Sequence, residues 1–166
     1  MTMQSRVRLG IQGEYSIAAD NGSLIRALAH AADIAFADGV GLNAASEFWT
    51  DEVSVAQSVN TDIDLQTLTK PDGSALVLTG VKAVLISAAA ANPAALTLQP
   101  GASNGWTAVF GGTTPTTPIA PGGAWIQANP SAGGFAVSGS NKTVRIASPG
   151  TTGTYVFRIS VLGITA

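Results

Sequence analysis

The stretch TYVFRISVLG, residues 154–163, decides the fold class of this chain. In an extended backbone, successive side chains point to opposite sides. One side of this stretch is aromatic or branched throughout, with Tyr155, Phe157, Ile159 and Val161. A period of two with one apolar face is typical of a half-buried β-strand.

Other stretches show a similar alternation, and turn residues separate them. They are VRLGI (7–11), DEVSVAQ (51–57), DIDL (62–65), LVLTGVKAVLI (76–86), ALTLQ (95–99) and TVRIAS (143–148). Sequences such as Pro71-Asp72-Gly73 and Pro149-Gly150 favour turns, because proline fixes φ and glycine accepts positive φ. Short strands with turns about every 8–12 residues predict an all-β protein, an antiparallel β-sandwich or jelly roll.

The stretch NGSLIRALAHAADIAF (21–36) fits two structures. Its apolar residues recur at helical spacing in Leu24, Leu28, Ala32 and Phe36. They also share the parity of a strand in Leu24, Leu28, Ile34 and Phe36,. The strand is slightly favoured because the surrounding sequence is strand-like. We therefore expect at most one short helix, near residues 23–36.

The chain of 166 residues is long enough for one domain with its own core,. We expect residues 36–166 to form the β-sandwich, and residues 1–35 to form an N-terminal arm or extra strands of the same domain. Three Gly-Gly pairs, at 111–112, 122–123 and 133–134, recur at a spacing of eleven. No phosphate-binding pattern surrounds them. They are interpreted as turns, and residues 111–123 as a long surface loop.

Charge is sparse and unevenly distributed. Charged residues make up 11% of the chain and the net charge is −2, so we expect no nucleic acid partner,. Residues 1–72 hold ten acids and four bases, a charge of −6, while residues 73–166 hold four bases, a charge of +4. Interleaved strands would mix these charges in space. The alternative is one acidic and one basic face that attract neighbouring copies. The longest apolar run is too short to span a membrane, so we expect no membrane partner.

The candidate catalytic and metal-binding residues are isolated. Ser103 lies in GASNG, which matches the nucleophile-elbow pattern, but no acid or histidine follows it,. His30 is the only histidine, which excludes a site with several histidines,. Asp62 and Asp64 share a strand face, where solvated carboxylates at a sheet edge are a simpler interpretation than a cation site. The sequence therefore predicts a protein without enzyme activity, metal or cofactor.

The order of motifs in the chain resembles a family of small structural proteins encoded among the head genes of tailed bacteriophages. The resemblance covers roughly residues 36–163. It lies in FADGVGLNAASEFWTDEVSV (36–55), DIDLQTLTKPDGSALVLTGVKAVLI (62–86), SNG (103–105), APGG (120–123) and the closing strand 154–163. It implies a β-sandwich or jelly-roll virion protein, a decoration or cement protein on the capsid exterior, made in the host cytoplasm.

The same resemblance implies two partners, the major capsid protein and a second or third copy of this chain. Symmetric sites on a shell favour such homodimers or homotrimers. Residues beside the irregular Gly- and Pro-rich loops are the candidate interface anchors, expected to be exposed: Trp106, Phe110, Ile119 and Trp125,. Two alternatives remain open, a tail or fibre-base virion component and a carbohydrate-binding jelly roll that stacks sugars on its tryptophans.

Overall fold

A computed structural model describes residues 3–19 and 22–165. Residues 1, 2, 20, 21 and 166 lie outside it, and the predictions that fall on them lie outside the described residues. The described residues are mostly β-strand, which confirms the all-β prediction. The strands are β1 Ser5–Ala19, β2 Gly22–Asp38, β3 Ala44–Ala45, β4 Glu47–Ala56, β5 Asn60–Asp64, β6 Leu68–Thr69, β7 Ala75–Leu76, β8 Gly80–Ala88, β9 Leu96–Pro100, β10 Thr117–Ile119, β11 Ala124–Ala128, β12 Phe135–Ala136, β13 Thr143–Ala147 and β14 Thr154–Ile164.

Two antiparallel sheets pack together into a sandwich, which we call the body (residues 39–165). One sheet has the strand order β11-β8-β14-β4, with β12 also paired to β8, and the other has the order β10-β9-β13-β5. Alternate residues of both sheets meet in one core. Its members include Val84, Ile86, Leu96, Leu98, Trp106, Val144, Ile146 and Phe157. The predicted packing of antiparallel sheets is therefore confirmed, and both sheets are open.

Strand β14, which contains TYVFRISVLG, lies between β8 and β4 in its sheet. The four side chains predicted to face the core are at most 1% exposed: Tyr155, Phe157, Ile159 and Val161. Pairing with β8 shifts register by one residue, since Leu162 lies opposite Ala83 and Gly163 opposite Val81. Lys82 is the extra residue of this β-bulge, a feature that redirects a side chain.

Strands β1 and β2 form an antiparallel hairpin, which we call the arm (residues 5–38). Its register runs from Ser5 opposite Phe36 to Ala19 opposite Gly22. At the usual rise per residue, a hairpin of this length extends for about 50 Å. The stretch that the sequence left open between helix and strand is therefore strand over its described residues. The one helix in the described parts of the chain is α1, Thr107–Phe110.

The Gly-Gly pairs mark turns, as predicted, but residues 111–123 are not one long surface loop, because strand β10 lies within them. Gly111 ends α1 in the left-handed conformation, with φ of 71°, and its N–H donates to the carbonyl of Thr107. Gly122, with φ of 74°, belongs to the turn that leads into β11, and Gly134, with φ of 62°, precedes β12. A Cβ at Gly134 would lie 2.4 Å from the carbonyl oxygen of Val81, so this turn requires glycine.

Strands from the acidic and basic halves of the sequence are interleaved, which confirms that the charges mix in space. Strand β13 pairs with β5, and β14 with β4. Three of the four bases beyond residue 72 form ion pairs with acids of the first half: Lys142 with Asp64 (2.8 Å), Arg145 with Asp62 (2.7 Å) and Arg158 with Glu52 (2.7 Å). The alternative of one acidic and one basic face loses its support.

Candidate interaction surface

Two of the four predicted interface anchors are buried in the body, so their expected exposure was wrong. Trp106 is fully buried, and its indole N–H donates to the carbonyl of Ala136 over 2.9 Å. The edge of its ring meets Phe135 at 88°, with 6.0 Å between ring centres. Ile119 is 3% exposed and belongs to the same core. Both residues follow loops in sequence, but their side chains point inward.

The other two predicted anchors contact each other. The rings of Phe110, at the end of α1, and Trp125, in β11, are stacked with centres 5.6 Å apart and an interplanar angle of 14°. Both are partly buried and pack against the body core. This stacked pair keeps a partly accessible aromatic surface, and its role as an interface anchor stays a prediction.

The tryptophans do not share an open surface. Trp49 is 8% exposed and donates its indole N–H to the carbonyl of Thr69, while Trp106 is fully buried. Trp125 is partly covered by Phe110. A sugar platform requires an accessible ring face, so this arrangement weakens the argument for carbohydrate binding.

The residues considered for chemistry lie apart, on different elements. Ser103 is in the turn after β9, and His30 is exposed on β2. Strand β5 is an edge strand, as expected for Asp62 and Asp64, and both carboxylates are engaged by bases of the neighbouring segment. Two bonds of 2.7 Å from Arg145 to Asp62 raise the pKa of this guanidinium above its ordinary value.

The described residues contain no cluster of three or more His, Cys, Asp or Glu side chains that could hold a metal ion. Over the same part of the chain, no helix is long and apolar enough to cross a membrane. The features described next are surfaces of the arm and the body.

One face of the arm is apolar along the described side chains of β1. Paired residues of an antiparallel hairpin share a face, and Val7 lies opposite Ile34, Leu9 opposite Ala32, and Ile11 opposite His30. Near the base, this face is covered by the body. Phe36 is 2% exposed and packs with Ala45, Ala83 and Leu162, with Val7 and Ile34 beside them.

Further along the arm, the same face is uncovered. Leu9 is 55% exposed and Ile11 is 77% exposed. We call the residues Val7, Leu9 and Ile11 the arm stripe. Its inner end is packed on the body and its outer end faces solvent, although the residue types are alike. Exposed apolar surface that continues from a packed region is a candidate for contact with a partner.

A groove runs between β1 and the outer face of the sheet β11-β8-β14-β4, with a cavity volume of about 230 Å³. Its floor includes Phe48 and Leu85, which are 56% and 38% exposed, and its wall includes Val7. We call this the β1 groove. Among the described strands, β1 pairs only with β2, so the β1 edge above this groove is available for another strand.

Charge on the other face of the arm is not balanced locally. The guanidiniums of Arg6 and Arg8 both contact the carboxylate of Asp33, at 3.2 and 3.1 Å. Two positive groups share one negative group, which leaves a positive surplus at the base of the arm. Glu14 lies on the same face, eight residues from Arg6 along β1, and opposite Ala27.

A buried lysine fixes the loop that joins the arm to the body. Lys82 is fully buried, and its ammonium donates to the carbonyls of Gly41, Ser131 and Ala132. Burial lowers the pKa of Lys82 below its ordinary value, while the three carbonyls favour the charged form,. The bond to Gly41 holds a loop whose side chains Val40 and Leu42 are 67% and 71% exposed.

Comparison of the chain with protein-family models, with curated proteins and with solved structures gives no match.

Sequence reasoning did not find the arm stripe or the β1 groove. The alternation in VRLGI was visible, but the sequence does not show where the support beneath a strand ends. Phe48 and Leu85 carried no special pattern, because each alternates correctly within its strand. Only the packing of the arm on the sheet places them beside β1.

Proposed function

We propose that this chain is a non-enzymatic structural virion protein that binds the exterior of an assembled bacteriophage capsid and stabilises it as a decoration or cement protein. The observation that carries the proposal is the combination of a well-packed body and an arm whose apolar stripe extends beyond that body. The sequence resemblance to phage head proteins supports the same function.

The mechanism follows from mass action. A protein that binds the assembled shell, and not its separated subunits, stabilises the shell by an amount that grows with the concentration of free protein relative to its Kd. Many copies on one particle add their contributions. The body would supply a rigid cover, and the accessible surfaces, including the partly buried stack of Phe110 and Trp125, would contact the lattice or neighbouring copies.

Reconstitution on shells tests the proposal. Shells of the phage that encodes this chain would be prepared without it and mixed with the purified protein, and occupancy would be read by cryo-electron microscopy. We expect saturable density at repeated positions on the shell and a higher temperature of shell disruption. Whole particles of the same phage with density for this protein only at the tail would instead support the tail-component alternative, since copy number separates the two.

A variant tests the aromatic stack in the same assay. Trp125→Ala should reduce shell occupancy while the protein remains folded, because Trp125 is only partly buried. If occupancy and oligomeric state are unchanged, Trp125 is not an interface anchor. Glycan binding that is lost in this variant, without shell binding by the wild type, would favour the carbohydrate-binding alternative.

A further inference from the structure

We infer that two copies of this chain pair through the free edges of their β1 strands, in antiparallel orientation and centred on Gly10. Each arm would then lie over the β1 groove of the other copy. The inference deepens the proposed function by naming one self-contact, and it rests on that function only for its biological role.

The register follows from charge and from the apolar stripe together. Centring the pair on Gly10 places Arg6 opposite Glu14 of the other copy, and both lie on the polar face of the arm. The positive surplus at Arg6, Arg8 and Asp33 would meet a carboxylate there. Opposite charges directly across a strand pair stabilise it.

The same register pairs the exposed parts of the two stripes. Leu9 lies opposite Ile11 of the other copy, on the apolar face. Gly10, at the two-fold axis, has no side chain to obstruct the approach. The contact is isologous, so each residue pair away from the axis occurs twice and the association closes at two copies.

The β1 groove lies beside the position that the second copy's β1 strand would occupy. Residues 6–8 of β1 line the groove together with Phe48 and Leu85. A strand paired to this part of β1 is residues 12–14 of the other copy, with Gly13 opposite Val7. Ile11 of that copy lies opposite Leu9, next to the end of the groove where Phe48 and Leu85 are exposed. The contact continues the packing that already covers Val7 and Ile34 on the same sheet.

The area that this pairing would bury is close to that of a standard interface. From Leu9 to the end of β1 the arm extends about 35 Å, and two strands are about 10 Å wide. Covering one face of that ribbon and an equal area of the other copy's sheet would bury roughly 700 Å² on each copy. A standard interface buries about 800 Å² on each partner.

Engineered cysteines give the sharpest test, because the chain contains no cysteine. Gly10→Cys would place two thiols opposite each other at the two-fold axis, within reach of a disulfide. Gly13→Cys is the matched control, since its counterpart would be about 20 Å away. A Cβ at Gly10 meets neighbours no closer than 3.5 Å, and one at Gly13 meets nothing within 4 Å. Both variants should therefore fold.

We expect Gly10→Cys to form a disulfide-linked dimer under mild oxidation and Gly13→Cys to remain unlinked. Equal linking of both variants, or no linking of Gly10→Cys, would overturn the register. Sedimentation of the wild-type protein should show twice 16.6 kDa at micromolar concentration,. A monomer or a trimer would overturn the pairing itself.

Side-chain variants test the stripe and the charges. Ile11→Glu should weaken dimerisation at least 100-fold, while Leu42→Glu, at a side chain of similar exposure outside the arm, should leave it unchanged,. Glu14→Arg should weaken it about tenfold, and adding Arg6→Glu should restore it. Equal effects of the Ile11 and Leu42 changes would contradict the inference. A monomer that still occupies shells would remove this inference and leave the proposed function standing.

Discussion

The body and the arm have the same alternating sequence pattern but different surroundings. In the body, β14 lies between two strands, and its apolar face meets the opposite sheet, so Phe157 and Ile159 are fully buried. In the arm, Val7 is covered while Ile11, four residues later, is 77% exposed. Alternation of apolar and polar side chains with a period of two residues produces a strand in both regions. Burial depends on whether another layer lies beneath that strand.

This difference separates the sources of stability. The body can hold its structure through burial of apolar area, at roughly 25 cal/mol per Å². A two-stranded hairpin is marginally stable alone in water, so the arm depends on its base, where Phe36 and Ile34 pack on the sheet. The outer part of the arm has apolar surface to offer a partner.

The largest loss of folding free energy is expected from a substitution in the body core. Trp106→Ala should lower the free energy of unfolding by about 3–5 kcal/mol, because it leaves a cavity and removes the donor to the Ala136 carbonyl,. Denaturant unfolding measures the change, and Trp125→Ala, at a partly buried tryptophan, is the matched control with a smaller loss. A loss below about 1 kcal/mol for Trp106→Ala would contradict the assignment of this residue to the core.

The next effect is expected where the arm joins the body. Phe36→Ala should cost about 3 kcal/mol, at the low end for buried phenylalanine, since its cluster is smaller than the body core,. Leu42→Ala, at an exposed side chain, should change stability by less than about 0.5 kcal/mol. Limited proteolysis should also cut the arm of the Phe36 variant sooner. An unchanged cleavage rate would mean that Phe36 does not hold the arm.

The fold could be predicted because the body has regular alternation and clear turns. Tyr155, Phe157 and their neighbours on β14 were assigned to the buried face from spacing alone, and the Gly-Gly turns were recognised from residue type. The stretch 21–36 was harder, because apolar residues at four-residue intervals satisfy both helical spacing and strand parity. Its pairing with β1, a long-range contact, favours the strand.

The candidate surface was predicted less well for a specific physical reason. Trp106 and Ile119 were placed at an interface because they lie near irregular loops, but chain position does not determine side-chain direction. The packing directs both side chains into the core. The β1 groove is formed by strands distant in sequence, so its members Phe48 and Leu85 give no local signal.

Replacement of the buried lysine should have an intermediate effect. Lys82→Met removes the donor to three carbonyls, and unpaired buried acceptors should cost about 2 kcal/mol,. Because burial lowers the pKa of Lys82, the folded protein releases this proton at a lower pH than the unfolded chain does. Between the two pKa values the unfolded chain binds more protons, so the wild-type free energy of unfolding rises with pH there.

Lys82→Met should lack this rise. Denaturant unfolding of both proteins at neutral and at alkaline pH, below the ordinary lysine pKa of about 10.4, measures the gap between them. The gap should widen as pH increases. If Lys82→Met is as stable as the wild type at both pH values, the carbonyl contacts do not stabilise the junction between arm and body.

The smallest loss of folding free energy is expected at the ion pairs. One pair lies in the body and another in the arm, and the two can be compared. Arg145 makes two bonds of 2.7 Å to Asp62 and its side chain is 19% exposed, whereas Arg8 makes one contact to Asp33 and is 66% exposed. Arg145→Ala should cost about 1 kcal/mol and Arg8→Ala less than about 0.5 kcal/mol, because water and salt screen the exposed pair. Double-mutant cycles with the paired aspartates, measured at one oligomeric state and at low and high salt, isolate each interaction. Equal coupling energies would mean that ion pairs stabilise the arm as much as the body. The two regions would then not differ in the contribution of their surface charges.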